Sequence, residues 1–147
     1  MPSDLTSALD KVLHLATLVN ADLNRFERES GLTTARIHVL WVLGAAGPST
    51  QQSLAAELSV SPRNVTGLVD GLVASGHVSR EPHPTDRRAV LVTPTSLGEA
   101  TIRELLTSHD DLARTLFADV PAERLALFVS TLDHTIVTFT RLMEETS

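Results

Sequence analysis

Between Thr50 and Gly98 the hydrophobic period changes twice, and this is what most narrows the fold open to the chain. Thr50 is an N-cap residue type ahead of a short helical pattern with Leu54, Ala55 and Leu58 on one side. Ser59-Val60 reads as a turn. Ser61-Pro62 then opens a second helix, with Ser as cap and Pro at the first helical position, where its missing N–H costs nothing. Val65, Leu68, Val69, Leu72 and Val73 form its apolar stripe, and Gly76 closes it. Two short strands follow, His77–Glu81 and Ala89–Thr93, the latter with alternating Val90 and Val92. The segment between them, Pro82-His83-Pro84-Thr85-Asp86-Arg87-Arg88, is too polar and proline-interrupted for a core and should project into solvent. This is the order of a helix-turn-helix carrying a β-hairpin wing.

Both flanks read as helix. Residues 5–26 carry Leu5, Leu9, Val12, Ala16, Val19, Leu23 and Phe26 at alternating spacings of 4 and 3, a heptad-like seam. Packing onto the chain's own domain and packing onto a partner chain explain that seam equally well. Gly31 ends the helix. Thr33 or Thr34 caps the next one, which runs to about Ala46, buries Ile37, Leu40, Trp41 and Leu43 or Gly44, and stops at Gly47-Pro48. Ser96 caps a long helix to about Phe117, with Ile102, Leu105 or Leu106, His109, Leu112 or Ala113, and Leu116 in its seam. Asp119-Val120-Pro121 breaks it, and a last helix runs to the end on Leu125, Phe128, Val129, Leu132, Ile136, Phe139 and Met143. The expected class is mainly α (α+β): a winged helix-turn-helix with long N- and C-terminal dimerisation helices. Residues 1–147 form one domain, 33–95 the DNA-binding lobe, and 1–30 with 96–147 the dimerisation region.

Charge and composition set the limits. No cysteine is present, which removes disulfides, thiolate zinc sites and cysteine nucleophiles. The start, MPSDLTSALDK, has no basic region ahead of an apolar run, and the longest apolar stretch, Val39 to Ala46, is far below the ~20 residues of a membrane span. The expectation is a cytoplasmic protein with no membrane partner. The net charge of −6 opposes nucleic-acid binding at first sight, but its distribution does not. Between Ser59 and Thr95 stand four arginines (Arg63, Arg80, Arg87, Arg88) against three acids (Asp70, Glu81, Asp86). The remainder holds eight basic and fifteen acidic residues, so the acid sits on the helical arms. Eleven of the twelve cations are Arg, whose planar fork suits bidentate contacts.

A recognition helix reads base edges from its first turns, on the face away from the core. Off the apolar stripe stand Arg63, Asn64, Thr66, Gly67 and Asp70. Arg pairs with guanine O6 and N7, Asn with adenine N6 and N7, and Thr touches a thymine methyl or a phosphate. Thr50 and Ser61, at the two helix starts, join the candidate DNA contacts. In the wing, Arg88 lies two residues beyond Asp86, which suggests an arginine steadied by a carboxylate and aimed at a narrow minor groove. Arg87 and Arg80 suit phosphates. Gly67 and Gly71 inside the recognition helix each cost about 1 kcal/mol relative to Ala, tolerable where a side chain would meet a DNA backbone or a neighbouring helix.

The stretch LAAELSVSPRNVTGLVDGLVASGHVSREPHPTDRRAVLVTPTSLG resembles the winged-helix core of the MarR (multiple antibiotic resistance regulator) family. Its D-x-R motif stands as Asp86-Arg87-Arg88 and its closing T-x-x-G as Thr95-Ser96-Leu97-Gly98, and both terminal helical regions match that family's dimerisation arms. The resemblance implies a homodimer on a palindromic double-stranded DNA operator, usually a repressor released by a small phenolic or lipophilic inducer. By motif position it implies Arg88 in the minor groove, oriented by Asp86, with Arg63, Asn64 and Thr66 facing the major groove. The chain departs from the family in carrying glycine at positions 67 and 71, where basic or polar residues are common, and Pro94 where Leu is usual.

Three other readings stand beside this one. The six histidines raise a metal-sensing winged helix, but none form an i, i+4 pair, so no metal site and no cofactor are expected. A helical protein-interaction module without DNA binding would suit the acidic balance and the two glycines. An enzyme is the reading from another class, but the chain shows no Gly-rich phosphate loop, no nucleophile elbow, no H-E-x-x-H and no catalytic constellation. His38 and Trp41, three apart on one helix, are candidate ligand contacts, with a core pair as the plainer account.

Overall fold

The computed structural model describes residues 3–147, so the first two residues of the expected 1–30 arm lie outside the described residues. In chain order the elements are α1 (Asp4–Ser30), α2 (Thr34–Ala46), β1 (Ser49–Thr50), α3 (Gln51–Leu58), α4 (Pro62–Ala74), β2 (Val78–Pro82), β3 (Val90–Pro94), α5 (Ser96–Phe117) and α6 (Ala122–Glu145). They fall into two compact units, one ending at Leu105 and the other spanning Leu106–Ser147.

The core of the first unit lies where α2, α3 and α4 close over the sheet. Leu40, Leu54, Val65, Val69, Leu72 and Val92 are fully buried there. At roughly 25 cal/mol per Å² of apolar surface, such side chains supply most of what holds this unit together. The α4 stripe is narrower than its sequence suggests. Val65, Val69 and Leu72 are buried, Leu68 only partly, and Val73 is exposed because it falls at the rim of the stripe in the last turn.

The sheet has three strands in the order β1-β3-β2, all antiparallel. β1 is absent from the sequence reading because two residues carry no periodicity. Ser49 pairs with Val92 and Thr50 with Leu91. Thr50 then also caps α3, accepting the Ser53 N–H at 3.1 Å, so α3 starts directly from the sheet edge. The hairpin strands sit one residue later than expected, each ending on a proline. Val92 is buried, whereas Val90, opposite Pro82 beside the wing, is exposed.

Helix ends follow local chemistry. Gly31 closes α1 in the left-handed region (φ 73°). Thr33 is the cap of α2, and its neighbour Thr34 instead donates both its N–H and its hydroxyl to Glu27. At α5 the expected cap is displaced by one: Thr95, not Ser96, accepts the Gly98 N–H at 3.2 Å. The Thr95 hydroxyl also donates to the carbonyl of Gly76 at 2.5 Å, and its N–H to the carbonyl of His77 at 3.0 Å. A Cβ at Gly98 would run into that same His77 carbonyl oxygen. The T-x-x-G sequence is therefore a clasp between the end of the hairpin and the turn after α4.

In the second unit the break at Pro121 is as expected, and the Phe117 and Phe128 rings meet across it at 6.0 Å, tilted by 44°. No residue of α1 or of α6 is buried, although both carry the apolar seams described above. Among the described residues no helix is long and apolar enough to cross a membrane.

Two tests follow from this packing. Gly98→Ala should destabilise the protein by about 1–3 kcal/mol or more, read as a lowered urea midpoint, because backbone rather than a movable side chain stands in the way. The Thr34 hydroxyl first, then the Thr34 N–H, hold the Glu27 carboxylate below its ordinary value of 4.5. Its contribution is thus complete above about pH 4.5 and is lost as pH falls through the lower folded value. Glu27→Gln should accordingly flatten the acid limb of the stability–pH curve without altering the neutral limb's slope.

Candidate nucleic-acid interface

The turn between α3 and α4 rests on Ser59, the one non-glycine residue with positive φ (54°) among the described residues. Ser61 follows in extended backbone, accepts the Asn64 N–H at 3.1 Å, and with Pro62 sets the direction of α4. Arg63, Asn64 and Thr66 consequently stand exposed on its first turns while Val65 points inward.

Behind them the side chains interlock. The Thr66 hydroxyl donates to the carbonyl of Pro62 and accepts from Gln51 Nε2, each at 3.0 Å. Gln51 Oε1 accepts from Nε and Nη2 of Arg80 at 3.2 Å. Arg80 Nη2 meets Asp70 Oδ1 at 2.5 Å. Arg80, expected at a phosphate, is thus engaged by Asp70 and Gln51 within the protein. The network ties α3, α4 and β2 together, and it satisfies the one acid on the exposed side of α4.

The wing is ordered by its own polar groups. His83 Nδ1 accepts the N–H of Thr85 at 3.2 Å and of Asp86 at 3.0 Å, and the His83 N–H donates to the carbonyl of Ala89. Asp86 Oδ1 accepts the backbone N–H of Arg88 at 3.0 Å. This corrects the sequence reading in one respect: the carboxylate steadies the backbone of Arg88, and the guanidinium does not appear among the ion pairs of the described residues. An aspartate two residues before another residue commonly closes such a turn. Arg87 and Arg88 are both exposed.

Between the start of α3 and the wing lies an open concavity of about 510 Å³, lined by Thr50, Gln51, Gln52, Arg80, Asp86 and Arg88 among others. The fold thereby gathers one helix N-terminus and the wing arginine around one hollow, although 38 residues separate Thr50 from Arg88 in the chain. His38 is exposed and Trp41 half-buried, so they do not form a buried core pair, and neither lines this concavity. Among the described residues no cluster of three His, Asp or Glu is arranged to hold a metal ion.

The model of the MarR family matches residues 30–89. The multiple antibiotic resistance protein MarR of Escherichia coli is 32% identical over 126 residues, 80% of this chain and 88% of that protein. This chain belongs to the MarR family. An HTH-type transcriptional regulator of Bacillus subtilis, YcgE, is 34% identical over 60% of this chain, and the match spans 58% of that relative's length. The crystal structure of Streptococcus pneumoniae FabT in complex with DNA superposes with a TM-score of 0.78, covering 92% of this chain and 99% of FabT, and at 21% identity it shows the shared fold. YcgE is by name an HTH-type transcriptional regulator, and FabT is seen bound to DNA.

Within this MarR-family fold, sequence reasoning missed Gln51, His83 and the bridging role of Asp70. Each acts through a partner distant in the chain or through a loop conformation, and neither leaves a periodic trace. Only the pairing of an acid on α4 with an arginine on β2 could have been guessed. Because Asp70 is largely exposed, Asp70→Asn should cost at most about 1 kcal/mol of stability by urea titration.

Proposed function

We propose that this MarR-family protein is a homodimeric transcriptional repressor that reads a palindromic operator in double-stranded DNA. In this reading α4 lies in the major groove with Arg63, Asn64 and Thr66 toward base edges, and Arg88 of the wing enters the adjacent minor groove. Thr50 and Ser61, at the starts of α3 and α4, and Arg87 contact phosphates, as helix N-termini commonly do. Arg80 acts one step back, positioning Gln51 and Thr66 rather than meeting a phosphate. The observation that carries the reading is the gathering of the α3 start, Arg80 and the Asp86–Arg88 turn around one open hollow, in a chain whose relatives are transcriptional regulators.

Dimerisation is supported by the seams that the single chain leaves uncovered. Leu5 and Leu9 of α1 are 84% and 53% exposed, and Ile136 and Phe139 of α6 are also exposed. On each helix, exposed apolar side chains recurring at helical spacing suit an interaction site. A two-fold dimer would set its recognition helices ~34–36 Å apart, on successive major grooves. A small phenolic or lipophilic inducer would release the DNA through differing affinity for two arrangements of the lobes. His38 and Trp41 are the candidate contacts for it. The protein would act in the cytoplasm.

The test is a gel-shift titration on a duplex recovered from a random-sequence pool with the wild-type protein, at two salt concentrations and with salicylate. Binding as a dimer, weakened by salt, is the expected result. Arg88→Ala should weaken it by ~1–3 kcal/mol while the circular dichroism spectrum stays unchanged. A folded variant with wild-type affinity would remove the wing from the interface. Failure to recover any duplex would leave a helical protein-interaction module as the better account.

A further inference from the structure

The exposed side of α4 is poor in cations for a helix meant to meet DNA. Along its length Arg63 is the sole Arg or Lys, and Asp70 is opposed by Arg80. Two glycines share the Arg63 side, since positions 63, 67 and 71 follow at i, i+4 and i+8. Glycine loosens a helix relative to alanine, so each position needs a reason.

The two reasons differ. A Cβ at Gly67 would meet nothing within 4 Å, so nothing inside the chain requires glycine there. A Cβ at Gly71 would meet Nη2, Cζ and Nε of Arg36 at 2.5, 2.6 and 2.6 Å. Three near-equal distances mean that the guanidinium lies flat over the glycine. Arg36 belongs to the first turn of α2, so Gly71 is a slot in α4 that receives a cation carried by a different helix. The Arg36 side chain is half-buried and is absent from the hydrogen bonds and ion pairs of the described residues. Stacked face-on, it keeps its in-plane N–H donors unspent.

We infer that Arg36 is a phosphate-binding residue of the DNA interface, lent by α2 to the recognition helix through the Gly71 slot. The inference rests on the DNA-binding reading above and adds a residue that no motif marks. Eight residues of helix separate Arg63 from Gly71, about 12 Å at 1.5 Å per residue, close to the ~12 Å width of the major groove. A helix whose first turns reach base edges therefore carries its Gly71 turn to the phosphate backbone bounding the groove. The open floor over Gly67 between the two cations lets that backbone or a base approach closely.

The experiment compares salt dependence on the duplex recovered with the wild-type protein. Arg36→Ala should weaken binding several-fold and lower the slope of log K against log salt by about 0.9 per subunit, as loss of one phosphate contact does. Gly71→Ala should push the guanidinium aside and lower the slope likewise, yet melt no earlier than wild type, because alanine is the better helix former. Arg114→Ala, which removes one exposed cation of the second unit, should leave the slope unchanged. Wild-type slopes in both Arg36→Ala and Gly71→Ala, with Arg88→Ala still weakened, would overturn the role of Arg36 while sparing the DNA reading. Weaker binding at an unchanged slope would make Arg36 a packing residue and would equally overturn it. Recovery of no duplex would sink the DNA reading and this inference with it.

Discussion

At the start of α5, Gly98 is pressed against the carbonyl of His77 where no side chain fits, and Thr95 bonds to Gly76, His77 and Gly98 at once. A two-stranded hairpin is at best marginally stable alone in water. Here the strand that leaves the wing is fastened at its far end to the turn that ends α4. The hairpin and the recognition helix therefore share one anchor, and the direction of the wing follows from the direction of α4. β1 adds an outer strand, and Val78 and Val92 seal the sheet against the helices. Beyond that clasp, the β1–β3 pairing, the buried Val78 and Val92 and the side chains around Arg80 link the hairpin to the helices.

Those side chains make a second level of order. The chain from Thr66 through Gln51 and Arg80 to Asp70 joins three elements across an exposed surface. Exposed ion pairs add little stability, so its value lies in geometry. It saturates the Thr66 hydroxyl as donor and cancels the charge of Asp70, which would otherwise repel phosphates. In the wing, His83 and Asp86 accept backbone N–H groups in the same way, leaving Arg87 and Arg88 exposed. The net charge of the chain is negative, but Arg63, Arg87 and Arg88 stand exposed on α4 and the wing.

Much of this was legible in the order of residues. The caps at Thr50 and Ser61, the breaks at Gly31 and Pro121, and the change from helical to alternating period at Gly76 are local effects, determined within a few residues by backbone hydrogen bonding and by glycine and proline geometry. The D-R-R turn and the T-x-x-G segment were visible as patterns, though not as mechanisms. Seen alone, Asp86 looks like a partner for a guanidinium; in the fold it holds a backbone N–H. Seen alone, Gly71 looks like a weakness in a helix; in the fold it is the seat of Arg36.

What the sequence determined by itself is thus the helices and the hairpin, their order and the family, because periodicity and capping act between near neighbours. What only the tertiary structure decided is which polar groups find each other: β1 against β3, Arg80 with Asp70, Arg36 over Gly71, Gly98 against His77. These pairs join positions 10 to 43 residues apart, and their partners are chosen by shape and distance once the core has closed. Such choices leave no period in the chain, so they become readable only when the helices are in place.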